Sequence, residues 1–138
     1  MLKNAAGPAF LKPYTTLTQV LKDRKLASLG DAYINFAYSL ALSNKTGEPS
    51  GKKVKGAPLA EALRKAGLRT LLPSRMDKHA LSDAAEALLA YAWLNRLSTL
   101  EENVQTLSEC DTLESGLTQL LSIAKEKIKL LKLFPVPC

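Results

Sequence analysis

The stretch Lys25-Leu-Ala-Ser-Leu-Gly-Asp-Ala-Tyr-Ile-Asn-Phe-Ala-Tyr-Ser-Leu-Ala-Leu42 is apolar around most of a helical circumference, yet it carries an acid at Asp31. Leu26, Leu29, Tyr33, Phe36, Ala37 and Leu40 recur at the spacing of one helix face, and Ile34, Tyr38 and Ala41 fill the other sides. Such a helix is expected to be enclosed by protein, where an unpaired charge is costly. Asp31 therefore calls for a basic side chain, backbone donors or a metal. A second segment, Leu81-Ser-Asp-Ala-Ala-Glu-Ala-Leu-Leu-Ala-Tyr-Ala-Trp-Leu94, repeats the pattern with Asp83 and Glu86. Neither Leu26 to Leu42 nor Leu81 to Leu94 contains an Arg or Lys. Three acids without local cations point to a cation from solution.

Outward from these two segments, every periodic stretch reads as helix and none shows the alternation of a half-buried strand, so the fold class is all-α. A short helix is predicted to start at Thr15 or Thr16 and to run to about Arg24. The Asp31 helix follows and ends near Ser43-Asn44. Lys45-Thr-Gly-Glu-Pro-Ser-Gly-Lys-Lys-Val-Lys-Gly56 reads as a mobile basic loop. Pro58 suits the first turn of a third helix and Gly67 its C-terminal cap. Ser74 or Asp77 would open the Asp83/Glu86 helix, which should continue to about Arg96. Ser98-Thr-Leu-Glu101 predicts a capping box for a fifth helix. A sixth should run from about Asp111 to Leu133, with Leu113, Leu117, Leu120, Leu121, Ala124, Ile128 and Leu131 as its apolar face. Its acids lie early and its lysines late, as the helix dipole favours. Tyr33, Phe36, Tyr38, Tyr91 and Trp93 fall at core spacing and read as packing.

The 138 residues fit one domain, and 46% hydrophobic content supplies a core without disulfides. Cys110 and Cys138 are too few and too distant for a disulfide framework or a zinc site. No charge-free apolar run is long enough to span a membrane. Met1-Leu-Lys-Asn-Ala-Ala-Gly-Pro8 lacks the apolar segment of a secretory signal, so a cytoplasmic, reducing location is expected. The net charge is +6. Between Lys45 and Lys78, nine basic residues face only Glu48, Glu61 and Asp77, so that window holds the whole surplus and the rest of the chain is balanced. A localised basic surface is the footprint of a polyanion partner, although a solvated face would look the same.

Asp83 and Glu86 lie three apart on one helix face, and Asp31 would add a third oxygen across the packed pair. A carboxylate-only donor set suits Mg2+ or Mn2+ rather than zinc, and Mg2+ is commonly completed by substrate phosphate. Without metal, crowded carboxylates should hold a proton, with at least one pKa raised. The plainer alternative has Asp83 capping a helix, Glu86 facing solvent and Asp31 accepting backbone bonds. Lys52, Lys53, Lys55 and Lys78 are the candidates for phosphate contact in a polyanion partner. His79, four residues before Asp83, is a further ligand or proton carrier, or else a surface residue. Asn35 is a donor to the site, or else an exposed amide.

Lys25-Leu-Ala-Ser-Leu-Gly-Asp-Ala32 resembles the signature of the ribonuclease III family, in which a Leu-Glu-Phe-Leu-Gly-Asp-Ala/Ser core opens the catalytic helix. Leu81-Ser-Asp-Ala-Ala-Glu-Ala-Leu-Leu-Ala90 is similar to that family's second motif, Leu-Ala-Asp-x-x-Glu-Ala-Leu-Ile-Gly. Order and separation agree, and the resemblance runs from about Lys22 to Asn95. It implies a ribonuclease III-like bundle of about six helices, with the motif-bearing part at about 22–95 and C-terminal helices at about 98–133. It implies Asp31, Asp83 and Glu86 as metal-binding carboxylates, Asp31 and Glu86 as the most essential pair, Mg2+ as cofactor, and double-stranded RNA cut by a homodimer. Two positions depart from the pattern. The family Glu before the Gly-Asp pair is Ala27 here, and a bulky aromatic that plugs into the partner subunit is Ser28. Like the compact Mini-ribonuclease III branch, the chain leaves no residues for a double-stranded-RNA-binding domain.

The resulting expectation is a divalent-metal-dependent endoribonuclease acting on double-stranded or structured RNA. A catalytically inactive RNA-binding protein of the same fold is the alternative that Ala27 favours. An unrelated helical domain whose basic face meets an acidic protein is a third.

Overall fold

The computed structural model describes residues 7–134, so residues 1–6 of the N-terminal reading and Cys138 lie outside the described residues. Six α-helices follow in order: α1 (Leu17–Leu21), α2 (Arg24–Thr46), α3 (Gly56–Lys65), α4 (Lys78–Leu94), α5 (Leu100–Glu109) and α6 (Leu113–Leu130). A 3₁₀ turn at Arg69–Leu71 lies between α3 and α4, and no strand occurs among the described residues. None of these helices is long and apolar enough to cross a membrane.

The ends of these helices are set by short polar side chains that accept the otherwise unpaired amides of a first turn. Thr16 opens α1, Asp23 opens α2, Asp77 opens α4 and Thr112 opens α6. The capping box of α5 is real but sits one residue later than the sequence pattern predicts. Thr99 accepts from the Glu102 amide while Glu102 accepts from the Thr99 amide. Gly67 (φ 79°) follows α3 in the left-handed region, as its place after that helix requires. Asp77 rather than Asp83 caps α4, which removes capping as the reason for Asp83.

α4 is the central helix, packed against α1, α2, α3 and α6. Every residue from Ala84 to Ala92 is buried, and five of those nine are alanine. Small side chains let neighbouring helices approach, while Leu88 interlocks with a core that includes Ile34, Leu63, Leu117 and Leu121. The closest approach is at Gly30 of α2. A Cβ built there would overlap the carbonyl oxygen of Glu86. Only glycine lets the α2 backbone rest on α4 at that point, and the crossing brings Asp31 beside Glu86.

Three expectations about burial are corrected. α2 is not enclosed, because Leu29 and Phe36 are 39% and 55% exposed. Seven residues separate them, so they form one apolar face that no helix of this chain covers among the described residues. Trp93 is likewise 40% exposed, with its ring stacked on Tyr33 at 5.2 Å, so neither Phe36 nor Trp93 is core packing. On α6 the apolar face stops at Ile128, and Leu131 lies past the helix end, exposed.

Replacing Gly30 with Ala is expected to destabilise the fold by about 1–3 kcal/mol or more, the range for overpacking at a site that cannot relax. Chemical denaturation would check this, and an unchanged midpoint would show that α2 and α4 can separate freely there.

Candidate active site

The α2 residues Arg24, Ala27, Ser28 and Asp31 recur every three or four positions, which places them along one side of the helix. That side forms one wall of a cleft. Ser82, Asp83 and Glu86 of α4 form the opposite wall, and Lys78 and His79 stand at the start of that helix. Lys53, Val54, Lys55 and Gly56 close the cleft from the loop between α2 and α3. The three acids and three of the four lysines singled out in the sequence, together with His79, thus line a single cavity. Lys52 is exposed on the adjoining loop and does not line it.

The acids differ in environment. Glu86 is buried at 6% exposure, whereas the Asp31 side chain is 42% exposed at the cleft mouth. The Glu86 carboxyl is raised from its ordinary 4.5 to about 8, with burial the largest cause. A hydrogen bond to Asp31, and the negative charges of Asp31 and Asp83, push the same way. Lys53 is the only opposing influence, and its Nζ lies 3.6 Å from Asp31 Oδ2. The expectation that Asp31 is a fully enclosed acid is therefore corrected: it faces the cleft, and a loop lysine stands beside it.

The basic loop is held in place by α2 rather than hanging clear of it. Asn35 accepts a hydrogen bond from the Val54 amide at 2.6 Å and donates a longer one to Asp31 at 3.4 Å. Ser39 accepts from the Lys52 amide at 2.9 Å and donates to the Lys52 carbonyl at 3.1 Å. Ser43 accepts from the Ser50 amide at 2.9 Å. Val54 is itself buried. The role of Asn35, Ser39 and Ser43 as loop anchors is absent from the sequence reading. Their signal is nonetheless visible: Asp31, Asn35, Ser39 and Ser43 follow one another at intervals of four on an otherwise apolar helix, as a single polar ridge. α3 then begins without a side-chain cap, so the amides of its first turn add partial positive charge where Lys55 and Gly56 line the cleft.

Three oxygen-only donors, crowded enough that Asp31 and Asp83 help to raise Glu86, form a chemically suitable set for a hard divalent cation. As the side chains stand, no group of three or more His, Cys, Asp or Glu among the described residues is arranged to hold a metal ion. Ala27 lies buried in the cleft wall, so the fourth carboxylate of the family pattern has no substitute there.

A family model described as Ribonuclease III matches residues 24–134, from the first residue of α2 to beyond the end of α6. The chain belongs to the ribonuclease III family, a family of nucleases. No curated protein matches the chain.

The raised Glu86 pKa has a consequence for stability. Between about 4.5 and about 8 the folded protein holds a proton that the unfolded chain has released. Stability should therefore fall as pH rises through that window and level off above it, at no more than about 1.4 kcal/mol per pH unit from this group. Glu86→Gln should remove that fall and raise the melting temperature most near the alkaline end. Thermal melts of both proteins across the window would check it, and parallel pH profiles would contradict the assignment.

Proposed function

We propose that the protein is a divalent-metal-dependent endoribonuclease that cleaves double-stranded or structured RNA. The observation that carries this reading is the convergence of Asp31, Asp83 and Glu86 in one cleft whose rim is cationic. Bound by those carboxylates, Mg2+ or Mn2+ would lower the pKa of a water nucleophile and neutralise charge on the leaving oxygen of a phosphodiester. Asp31 and Glu86 are the essential pair of this reading, as the resemblance of their two motifs to the family's implies, and both line the cleft. Asp83 adds a third oxygen from the face of Glu86. Lys53, Lys55 and Lys78 draw phosphate towards acids that alone would repel it, and Lys52 extends that field along the loop. Asn35 holds the Lys53 segment over Asp31 through the Val54 amide.

Ala27 gives a second reading specific support. With only three acids, the same cleft could hold RNA without cutting it, as an inactive member of the family. Incubation with duplex RNA and Mg2+ separates the two. The parent protein should cleave, and Glu86→Gln or Asp31→Asn should lower the rate by roughly a hundredfold or more, the scale of losing one electrostatic element of a phosphoryl-transfer site. Duplex binding without cleavage by the parent would establish the inactive reading instead.

A homodimer belongs to the same proposal. Leu29 and Phe36 lie roughly 140–160° around α2 from Asp31, given the helical repeat. A second copy seated on Leu29, Phe36 and Trp93 would bury this apolar face and leave the cleft open. Phe36→Glu should then convert the dimer to monomer in sedimentation analysis; a parent protein that is monomeric at micromolar concentration would refute it.

A further inference from the structure

We infer that the RNA-binding surface continues past the cleft, onto a second cationic arm around the start of α2 formed by Lys12, Lys22, Arg24 and Lys25. This inference rests on the RNA reading above and specifies where the duplex backbone runs.

Arg24 is the junction. It lines the cleft that contains Asp31 and Glu86, and it also lines a neighbouring open hollow of about 680 Å3 bounded by Lys12, Tyr14, Lys22 and Lys25. Arg24 precedes Asp31 by seven residues, which is two helical turns on nearly the same face and about 10 Å along the axis. A phosphate chain crossing the acids therefore meets Arg24 next and the remaining three bases beyond it.

The one acid in this hollow does not cancel the field. Asp23 faces inward, with its side chain 10% exposed, and its oxygens are engaged by the protein itself. They accept from the Lys25 and Leu26 amides at 3.0 and 3.1 Å and from the Tyr14 hydroxyl at 2.6 Å. Lys12 approaches at 3.8 Å yet remains 68% exposed, and Lys22, Arg24 and Lys25 are exposed too. Four cations thus face water while the single anion serves to cap α2.

Summation along the chain hides this arm. Outside Lys45 to Lys78 the charges cancel only because residues 1–44 carry a surplus of bases and residues 79–138 an equal surplus of acids. The expectation of a balanced remainder is correct in total and wrong in space. Lys12 and Lys22 also precede the segment that the family model matches, so this part of the arm lies outside the matched pattern.

An extended polyanion fits these features better than a small one. The hollow is open, its cations are spread over the α1–α2 junction, the first turn of α2 and a preceding segment, and among the described residues no buried polar side chain waits for a single phosphate. A-form RNA presents such a backbone, recognised by charge and shape rather than by base sequence.

The test uses the full chain and a blunt RNA duplex, with Ca2+ in place of Mg2+ to slow cleavage, and measures affinity against salt concentration. The triple variant Lys22→Ala, Arg24→Ala, Lys25→Ala should bind roughly tenfold more weakly near physiological salt. Its salt slope should be shallower by about two to three, close to one for each phosphate that the variant no longer engages. Lys22→Arg with Lys25→Arg should keep both affinity and slope, which separates missing charge from a damaged α2 start. If the triple variant keeps the parental slope while Lys52→Ala, Lys53→Ala, Lys55→Ala flattens it, the RNA reading stands and this inference is overturned. A parent protein that binds no duplex even at low salt would overturn both. Weakened binding to polyglutamate, with duplex affinity unchanged, would reassign the arm to an acidic protein and overturn it as stated.

Discussion

The site depends on the contact between α2 and α4 at Gly30, where one backbone lies against the carbonyl of Glu86. Helices separated by ordinary side chains stand about 8–10 Å apart, and their carboxylates then reach each other only through long rotamers. With no Cβ at Gly30, Asp31 is brought beside Glu86, and both line one cleft. That proximity is unfavourable for the empty fold, because burial and two neighbouring negative charges all oppose ionisation of Glu86. The core around α4 offsets the cost. Leu88 with Ile34, Leu63, Leu117 and Leu121 buries enough apolar surface for α2 to be held where its acid would not choose to sit.

The same helix solves a second problem, which is keeping cations near the acids without letting them neutralise the site. A lysine fixed by tight ion pairing would compete with a metal. Here Lys53 stands 3.6 Å from Asp31, with 74% of its side chain exposed. Such an exposed pair contributes little to stability and can be displaced. What fixes the loop is neutral. Asn35, Ser39 and Ser43 hold its backbone through amides and carbonyls, so positive charge is brought to the cleft by bonds that do not consume it. The polar ridge of α2 therefore joins an acid at one end to loop anchors at the other, linking acid and cations through one rigid element.

How much of this is legible in the sequence follows from what its period can encode. Periodicity fixes the angle of a residue around its helix, and so α2 and α4 with their three acids, six helices and most caps are readable. It does not say whether a face is covered by the same chain. Leu29 and Phe36 lie at core spacing and still face solvent, because α4 and α5 pack on other sides of α2. Nor does it locate a cap when two candidates adjoin. Ser98 and Thr99 offer the same chemistry, and Thr99 prevails where both it and Glu102 find each other's amides. Asn35 reads as a donor to the site, but its shorter bond is one it accepts from the Val54 amide, nineteen residues away, a partner that no local rule supplies. Asp31 reads as buried because its neighbours are apolar. In fact the cleft opens where α2 meets a loop rather than a helix.

The distribution of charge explains how three acids and an excess of bases coexist in so small a domain. The acids of the site come from helix interiors, where position is fixed to within a rotamer, and the cations come from loops and from the ends of helices. That division suits the tasks proposed for them. A hard cation demands oxygens at defined separations, which only packed elements can hold, whereas a phosphate chain is attracted over a Debye length of about 8–10 Å and tolerates long, adjustable side chains. Ala27 is consistent with this division. A fourth carboxylate in the wall of α2 would increase the repulsion that already raises Glu86. With alanine at that place, the acids that line the cleft are Asp31, Asp83 and Glu86.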